Sequence, residues 1–181
     1  MKKSRYLQNL PNDAVYDEMD SPVGTLTLIA SPKGLHNILW DLDRSYTLCE
    51  KMINSISKAR NEEIIANTKQ QLNEYFQGKR KKFDLLLAPI GTPFQLQAWQ
   101  QLLEIPYSET ISYGEQAQRM GDKNKSRAVG MANGRNPISI VIPCHRVIGH
   151  NGKLVGFGGG IERKEYLLQL EKNWKNSNDG Y

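Results

Sequence analysis

Hydrophobic and polar positions along the first half of the chain predict both strands and helices. Residues 25–30 and 35–42 are short apolar runs separated by a Ser-Pro-Lys-Gly turn, which predicts a β-hairpin. Residues 62–76 predict a helix with one buried face, whereas residues 48–56 have a weaker helical period. The predicted buried face carries Ile65, Thr68, Leu72, Tyr75 and Phe76. Residues 83–87 alternate like a short strand.

The second half begins with three predicted helices. Thr92 is a good N-cap, Pro93 suits the first helical turn, and Gln95 completes a capping box. The apolar face of this first helix carries Phe94, Ala98, Trp99, Leu102 and Leu103. Residues 112–120 and 124–133 predict two further helices joined by a glycine turn, which is a candidate helix-turn-helix. A plain αα-hairpin is the alternative, and it would explain the small residues of the last helix by close packing.

A Pro- and Gly-containing linker at residues 88–91 separates the two halves. We therefore predict an α/β domain at residues 1–90 and a mostly helical domain at residues 91–181. A final helix is predicted at residues 161–170, closed by Glu171 and followed by a frayed tail.

Composition and charge narrow the class of protein. The chain of 181 residues has a formal net charge of +5 and a sequence pI near 9.1, which modestly favours a nucleic-acid partner. No apolar run approaches the roughly 20 residues that span a bilayer, and the basic N-terminus lacks the apolar core of a secretory signal. We expect a cytoplasmic protein without membrane contact, associated with the nucleoid if the source is bacterial.

The two cysteines, Cys49 and Cys144, are expected to be reduced in that compartment. Neither has metal-ligand spacing to a histidine, so no metal site is predicted. Cys49 is interpreted as an inert buried thiol.

Cys144 follows an apolar, β-branched segment at residues 138–142, which is expected to be buried and extended until Pro143 ends it. A nucleophilic cysteine must reach its thiolate form, and His145 and Arg146 follow directly. Neighbouring residues of an extended chain face opposite sides, so a bridging water or a helical turn is needed to connect Cys144 with His145. From the local pattern alone, an inert core thiol is the more frequent alternative.

Pro143-Cys144-His145-Arg146-Val147 resembles the active-site signature of the O6-alkylguanine-DNA alkyltransferases, also called methylated-DNA–protein-cysteine methyltransferases. The resemblance spans the second half in order, including Gly91–Gln95, Ile105–Tyr107, Ser112–Gly114, Arg127–Gly130, Asn133–Pro137, Gly159–Lys164 and Glu171. It implies a small ribonuclease-H-like α/β domain, followed by a winged-helix-like domain with a helix-turn-helix.

The resemblance assigns catalytic roles to five residues. Cys144 resembles the alkyl acceptor, His145 the base that acts through a water, and Glu171 the carboxylate that orients His145. Tyr113 resembles the hydroxyl that protonates the leaving guanine and crowds the DNA backbone. Asn136 resembles the hinge that connects the helix-turn-helix to the cysteine segment.

The same resemblance assigns DNA and substrate contacts. Arg127 resembles the finger that fills the space left by the flipped base. The close approach of the helix to the minor groove is implied for Ser126, Ala128 and Gly130, beside Tyr113. The wall of the alkyl pocket is implied for Val155, Phe157 and Gly158.

The implied activity is a single, irreversible transfer of an alkyl group from O6-alkylguanine, or O4-alkylthymine, in double-stranded DNA to Cys144. A monomer without a cofactor would perform it. Phe157 and Gly158 depart from family members that carry Tyr and Ser, so we expect tolerance of alkyl groups larger than methyl. Three alternatives are an alkyltransferase-like lesion binder, which lacks the cysteine, a helix-turn-helix transcription regulator, and a multiple-turnover cysteine hydrolase.

Overall fold

A four-stranded sheet organises the first part of the chain in this computed structural model, which describes residues 9–41, 56–60 and 62–178. Its strands are β1 (Val15–Met19), β2 (Leu26–Ser31), β3 (Gly34–Trp40) and β4 (Ser57–Lys58), in the order β3-β2-β1-β4. The pairs β1–β2 and β2–β3 are antiparallel, and β4 runs parallel to β1. Every residue of β2 and β3 is buried, which confirms the predicted hairpin as the centre of this unit.

Helix α1 (Glu63–Phe76) packs on this sheet, as its apolar period predicted. Its buried face includes Gln71, which the pattern did not mark, because its side-chain amide exchanges two hydrogen bonds with the backbone of Asp84. Phe76 is only half-buried. The predicted strand at residues 83–87 is wrong: a single bridge joins Leu87 to Leu35.

Strand β1 was not predicted, because its central residues are Tyr16, Asp17 and Glu18 rather than an apolar run. Lys69 of α1 binds the Asp17 carboxylate. The positive charge that compensates this acidic strand therefore comes from a segment that is distant in sequence. Apart from Ile56, the predicted helix at residues 48–56 lies outside the described residues. Cys49 lies outside them as well.

The chain divides into two compact units, Met1–Ile90 and Gly91–Tyr181. The second unit contains α2 (Pro93–Leu103), α3 (Tyr113–Arg119), α4 (Ser126–Asn133) and α5 (Ile161–Asn178). Short strands β5 (Ile111–Ser112) and β6 (Val147–Ile148) pair in parallel. A sheet unit followed by a helical unit confirms the predicted α+β organisation.

The predicted cap of α2 is confirmed. Thr92 and Gln95 form the capping box of α2, and Ser112 caps α3 by accepting from the Glu115 amide. Gly121 has a φ of +95°, so the turn before α4 uses a conformation that favours glycine. The start of the predicted third helix is a separate 3-10 turn, Lys123–Lys125, and α4 follows it.

Two parts of the second unit differ from the prediction. Residues 138–142 are buried but not extended: Ile140 has a φ of +76°, and the Ile142 amide donates to the Ile138 carbonyl at 2.9 Å. Helix α5 continues to Asn178 instead of fraying at Asn173, because no Gly or Pro interrupts the sequence there. Within the described ranges, no helix combines the length and apolar character needed to cross a membrane.

Candidate active site

The cysteine segment is a compact turn held by one side chain. The Asn136 Nδ2 group donates to the Ile142 carbonyl at 2.7 Å, and its Oδ1 accepts from the Ile138 amide at 3.1 Å. The same Nδ2 lies 3.1 Å from Cys144 Sγ. Asn136 therefore satisfies the backbone of the turn and also supplies a donor to the sulfur, which is more than a hinge does.

Cys144 opens a 3-10 turn, Cys144–Arg146, and is 5% exposed. The backbone at Cys144 is thus helical, which is one of the two ways in which the sequence allowed Cys144 and His145 to act together. If the chain were extended through Cys144 and His145, their side chains would face opposite sides.

A carboxylate on helix α5 fixes the orientation of the His145 ring. His145 Nε2 lies 2.9 Å from Glu171 Oε1, and both side chains are fully buried. Because the ionised carboxylate only accepts hydrogen bonds, Nε2 carries the proton and Nδ1 is the basic nitrogen. Nδ1 is buried and has no hydrogen-bond partner among the residues that the structure describes.

Glu171 is held by Arg146 as well as His145. Arg146 donates from Nε to Oε2 at 3.0 Å and from Nη2 to Oε1 at 3.0 Å, and the Ser108 amide donates to Oε2 at 2.8 Å. Arg146 also donates from Nη1 to the Ile105 carbonyl at 2.7 Å. The sequence suggested Arg146 as a cation for Cys144, but the structure uses it to hold the carboxylate.

The pKa values follow from this burial and pairing. Burial alone would raise the pKa of the Glu171 carboxyl, but the His145 and Arg146 contacts lower it to about 2. Burial lowers the pKa of His145 despite the carboxylate, and burial raises the pKa of the Cys144 thiol despite the Asn136 and Lys164 contacts. The resting site therefore holds a protonated thiol and a neutral imidazole near pH 7, together with an ionised carboxylate.

Lys164 is a buried charged residue that the sequence analysis did not single out. Its Nζ donates to the Val147 carbonyl at 2.6 Å and to the Val155 carbonyl at 3.0 Å, and it lies 5.8 Å from the Tyr113 ring centroid. Burial lowers the pKa of Lys164 to about 8. Its spacing along α5 was the available signal, because Lys164, Leu167 and Glu171 recur on one buried face.

Tyr113 occupies the first position of α3 and points to the glycine-rich loop at residues 155–160. Its hydroxyl donates to the Val155 carbonyl at 2.9 Å and to the Gly156 carbonyl at 3.2 Å. Gly156 has a φ of +52°, so this loop contains a left-handed position that favours glycine. Val155 is 45% exposed, Gly158 is exposed and Phe157 is half-buried, so the three predicted pocket residues lie on an accessible loop.

Apart from Tyr113 on α3, the predicted DNA-contact residues lie on α4. Arg127 and Ala128 are exposed, whereas Ser126 and Gly130 are half-buried. A side chain at Gly130 would place its Cβ 3.6 Å from the Tyr113 ring, so α4 passes close to Tyr113 at this residue. The pairing of α3 with α4 is fixed by the buried amides of Gln116 and Asn133, which exchange hydrogen bonds of 2.7 and 3.3 Å.

Both parts of the chain match family models. Residues 14–89 match the model described as 6-O-methylguanine DNA methyltransferase, ribonuclease-like domain. Residues 93–173 match the model described as 6-O-methylguanine DNA methyltransferase, DNA binding domain. The two matches leave the linker and the ends of the chain outside them.

Curated relatives are similar over most of the chain. A methylated-DNA–protein-cysteine methyltransferase of Methanosarcina acetivorans is 46% identical over 156 residues, or 86% of this chain and 97% of the relative. Its counterpart from Mycobacterium tuberculosis is 46% identical over 158 residues, or 87% of this chain and 92% of the relative.

Solved structures agree with this similarity. The crystal structure of the Mycobacterium tuberculosis O6-methylguanine methyltransferase has a TM-score of 0.80 at 45% identity, covering 88% of this chain and 93% of that chain. A crystal structure of the protein of that organism in complex with DNA has a TM-score of 0.78 at 45% identity, with the same coverage.

Proposed function

Because the chain belongs to the 6-O-methylguanine DNA methyltransferase family, we propose that it repairs DNA by moving an alkyl group from guanine O6 onto Cys144. O4-alkylthymine is the second proposed substrate. The observation that carries this proposal is the His145 ring, which follows the buried Cys144 directly in sequence: its Nε2 is bound to Glu171, while Nδ1 has no partner among the described residues and can accept a proton.

The chemical step needs the thiol proton to move before the alkyl group does. We assign that proton to His145 Nδ1, through a bridging water, since the raised pKa of Cys144 keeps the sulfur protonated at rest. The resulting imidazolium is stabilised by Glu171, whose lowered pKa keeps it ionised. This is the logic of a catalytic triad with a cysteine as the nucleophile.

The Cys144 sulfur then attacks the alkyl carbon in line with the bond to guanine O6. The new S–C bond forms as the C–O6 bond breaks, and the electron pair of that bond stays on the guanine. The Tyr113 hydroxyl protonates the leaving guanine, and the proton held by His145 restores the hydroxyl. In the net reaction the thiol proton replaces the alkyl group on guanine.

A guanine O6 inside a duplex is out of reach of an in-line nucleophile, so the base must be flipped at a cost of a few kcal/mol. We assign Arg127 to the space that the base leaves, because it is exposed on α4 and its side chain has no hydrogen bond or ion pair among the described residues. The minor groove would accept the small residues Ser126, Ala128 and Gly130 close to its floor.

Val155, Phe157 and Gly158 are proposed to line the alkyl pocket, since Tyr113 is hydrogen-bonded to the same loop. Gly158 offers no side chain, so the pocket would admit groups larger than methyl. Equal rates on O6-methyl- and O6-benzylguanine substrates would support this assignment, and a strong preference for methyl would contradict it.

The product is a thioether on Cys144, which is a poor electrophile with no activating group beside it. We therefore propose one transfer per chain. A monomer without a cofactor is sufficient in this scheme, because one chain supplies the acceptor, the base and the DNA-binding helix. Its place of action is the compartment that holds the genome, which is the cytoplasm in a prokaryote.

Duplex DNA that carries O6-methylguanine with a labelled methyl group tests the proposal. After incubation and proteolysis, the label is expected on the peptide that contains Cys144, and the Cys144→Ala variant is expected to bind the DNA without taking up label. Binding without transfer by the unaltered chain would instead indicate a lesion binder or a regulator. Repeated release of product would indicate a hydrolase.

A further inference from the structure

Met131 is the most exposed large apolar side chain of the second unit among the described residues, at 60% exposure. It lies on α4, four residues after Arg127, and therefore on the same face as that arginine. The buried face of α4 carries Val129, Ala132 and Asn133, so nothing in the packing of the helix requires a methionine at this position.

The surroundings of Met131 are basic and small rather than apolar. Arg127 precedes it by one helical turn, and Arg135 follows just beyond the end of α4. Neither arginine side chain makes an ion pair or hydrogen bond within the described part of the chain. Ala128 and Gly134, its other neighbours on this face, are exposed and small. A helix surface of this kind allows its backbone to approach a partner closely, with one bulky apolar side chain one turn from Arg127.

These features fit a DNA minor groove better than a protein surface. The positive charge of this surface favours binding to the DNA polyanion, and the floor of the groove presents sugars and base edges that apolar side chains can contact. Minor-groove proteins use Leu, Ile, Phe, Pro and Met in this way, as wedges that hold a deformed groove open. The position of Met131 is also continuous with the surface that the proposed function assigns to DNA.

We propose that Met131 is an apolar DNA contact that packs into the minor groove one helical turn from Arg127 and keeps the groove open while the damaged base is turned out. This inference rests on the proposed function and adds a second residue to the work assigned to Arg127. Its contribution is apolar, so it should depend on the hydrophobicity of the side chain and hardly on salt.

Three variants at this position separate apolarity from size: Met131→Leu, Met131→Gln and Met131→Ala. Leu103→Ala is the matched control, because Leu103 is also exposed, at 40%, but lies at the end of α2. Binding to an undamaged duplex is measured by fluorescence anisotropy across a salt series, and methyl transfer is measured on duplex and single-stranded substrates. Thermal melting verifies that each variant is folded.

Met131→Ala and Met131→Gln are expected to lower duplex affinity and the duplex transfer rate by about tenfold, which corresponds to loss of one partly buried apolar side chain. Met131→Leu and Leu103→Ala are expected to match the unaltered chain. The salt dependence should not change in the Met131 variants, because an apolar contact neutralises no phosphate. Transfer to a single strand, which has no groove to open, should stay within about twofold.

Duplex affinity of Met131→Ala equal to that of the unaltered chain would overturn the inference, and so would full affinity in Met131→Gln. Equal losses of transfer on duplex and single strand would also overturn it, because Met131 would then act on the reaction and not on the groove. Failure of the unaltered chain to transfer methyl to either substrate would refute the proposed function instead, and the anisotropy series would still decide the role of Met131.

Discussion

His145 Nε2 lies 2.9 Å from Glu171 Oε1, across 26 positions of sequence, and this contact decides which imidazole nitrogen is basic. The carboxylate accepts the Nε2 proton and leaves Nδ1 with its lone pair. Arg146 and the Ser108 amide hold the same carboxylate. A buried hydrogen-bond network therefore sets the orientation of the His145 ring.

Glu171→Gln should slow methyl transfer about 10²- to 10³-fold, because a neutral amide stabilises the imidazolium far less than a carboxylate does. Single-turnover rates on labelled duplex DNA measure the effect. DNA affinity should stay within about twofold, since the Glu171 side chain is fully buried and offers no surface to DNA. A variant that transfers at the rate of the unaltered chain would remove Glu171 from the mechanism.

Acid stability should report the same carboxylate. The folded pKa of Glu171, at about 2, lies below its ordinary value of 4.5, so its contribution is present above pH 4.5 and is lost as pH falls toward 2. The size of this contribution is about 3 kcal/mol. Chemical denaturation between pH 2 and 6 should show a shallower pH dependence in Glu171→Gln, and parallel curves would contradict the pairing.

Tyr113→Phe should slow transfer about 10- to 100-fold while it leaves duplex affinity nearly intact. The variant keeps the ring beside Gly130 but loses the hydroxyl that we assign to protonation of guanine. Burial raises the pKa of Tyr113 to about 12, so the hydroxyl remains a donor throughout the working range. Substrates with a more acidic leaving base should be less affected, and equal losses on all substrates would argue against proton donation.

Lys164→Met should slow transfer, whereas Lys164→Arg should retain more of the rate. The ammonium group connects the Val147 and Val155 carbonyls, and its charge favours the Cys144 thiolate. Alkylation of Cys144 by iodoacetamide is measured across a pH series in Lys164→Met and in the unaltered chain. It distinguishes the effect of the Lys164 charge on the thiol from the effect of its hydrogen bonds to the two carbonyls. Loss of the charge should move the titration of the thiol to higher pH, whereas an unchanged profile would limit Lys164 to holding the loop.

Local signals in the sequence were sufficient to predict the helices of the second unit. The capping box at Thr92 and Gln95 depends on neighbouring residues, so it can be identified without the fold. The β2–β3 hairpin was predictable for the same reason, because its apolar runs and its turn are adjacent.

Long-range partners could not be predicted from the local pattern. The turn at residues 138–142 has the composition of a strand, but the Asn136 side chain satisfies its backbone and permits the positive φ of Ile140. Arg146 lies two residues after Cys144 in sequence, which suggested that it supplies a positive charge to the thiol. Its guanidinium instead binds the Glu171 carboxylate. The catalytic role proposed for Glu171 came from family resemblance, since no local period connects it to His145.

The number of methyl groups accepted by each chain tests the central claim most directly. An excess of duplex carrying labelled O6-methylguanine is incubated with a known amount of protein, and intact mass is followed to completion. We predict a plateau at one added CH2 unit per chain, located on Cys144, with an equal amount of guanine restored in the DNA. Continued repair beyond one lesion per chain, or a methyl group on any other residue, would contradict the account.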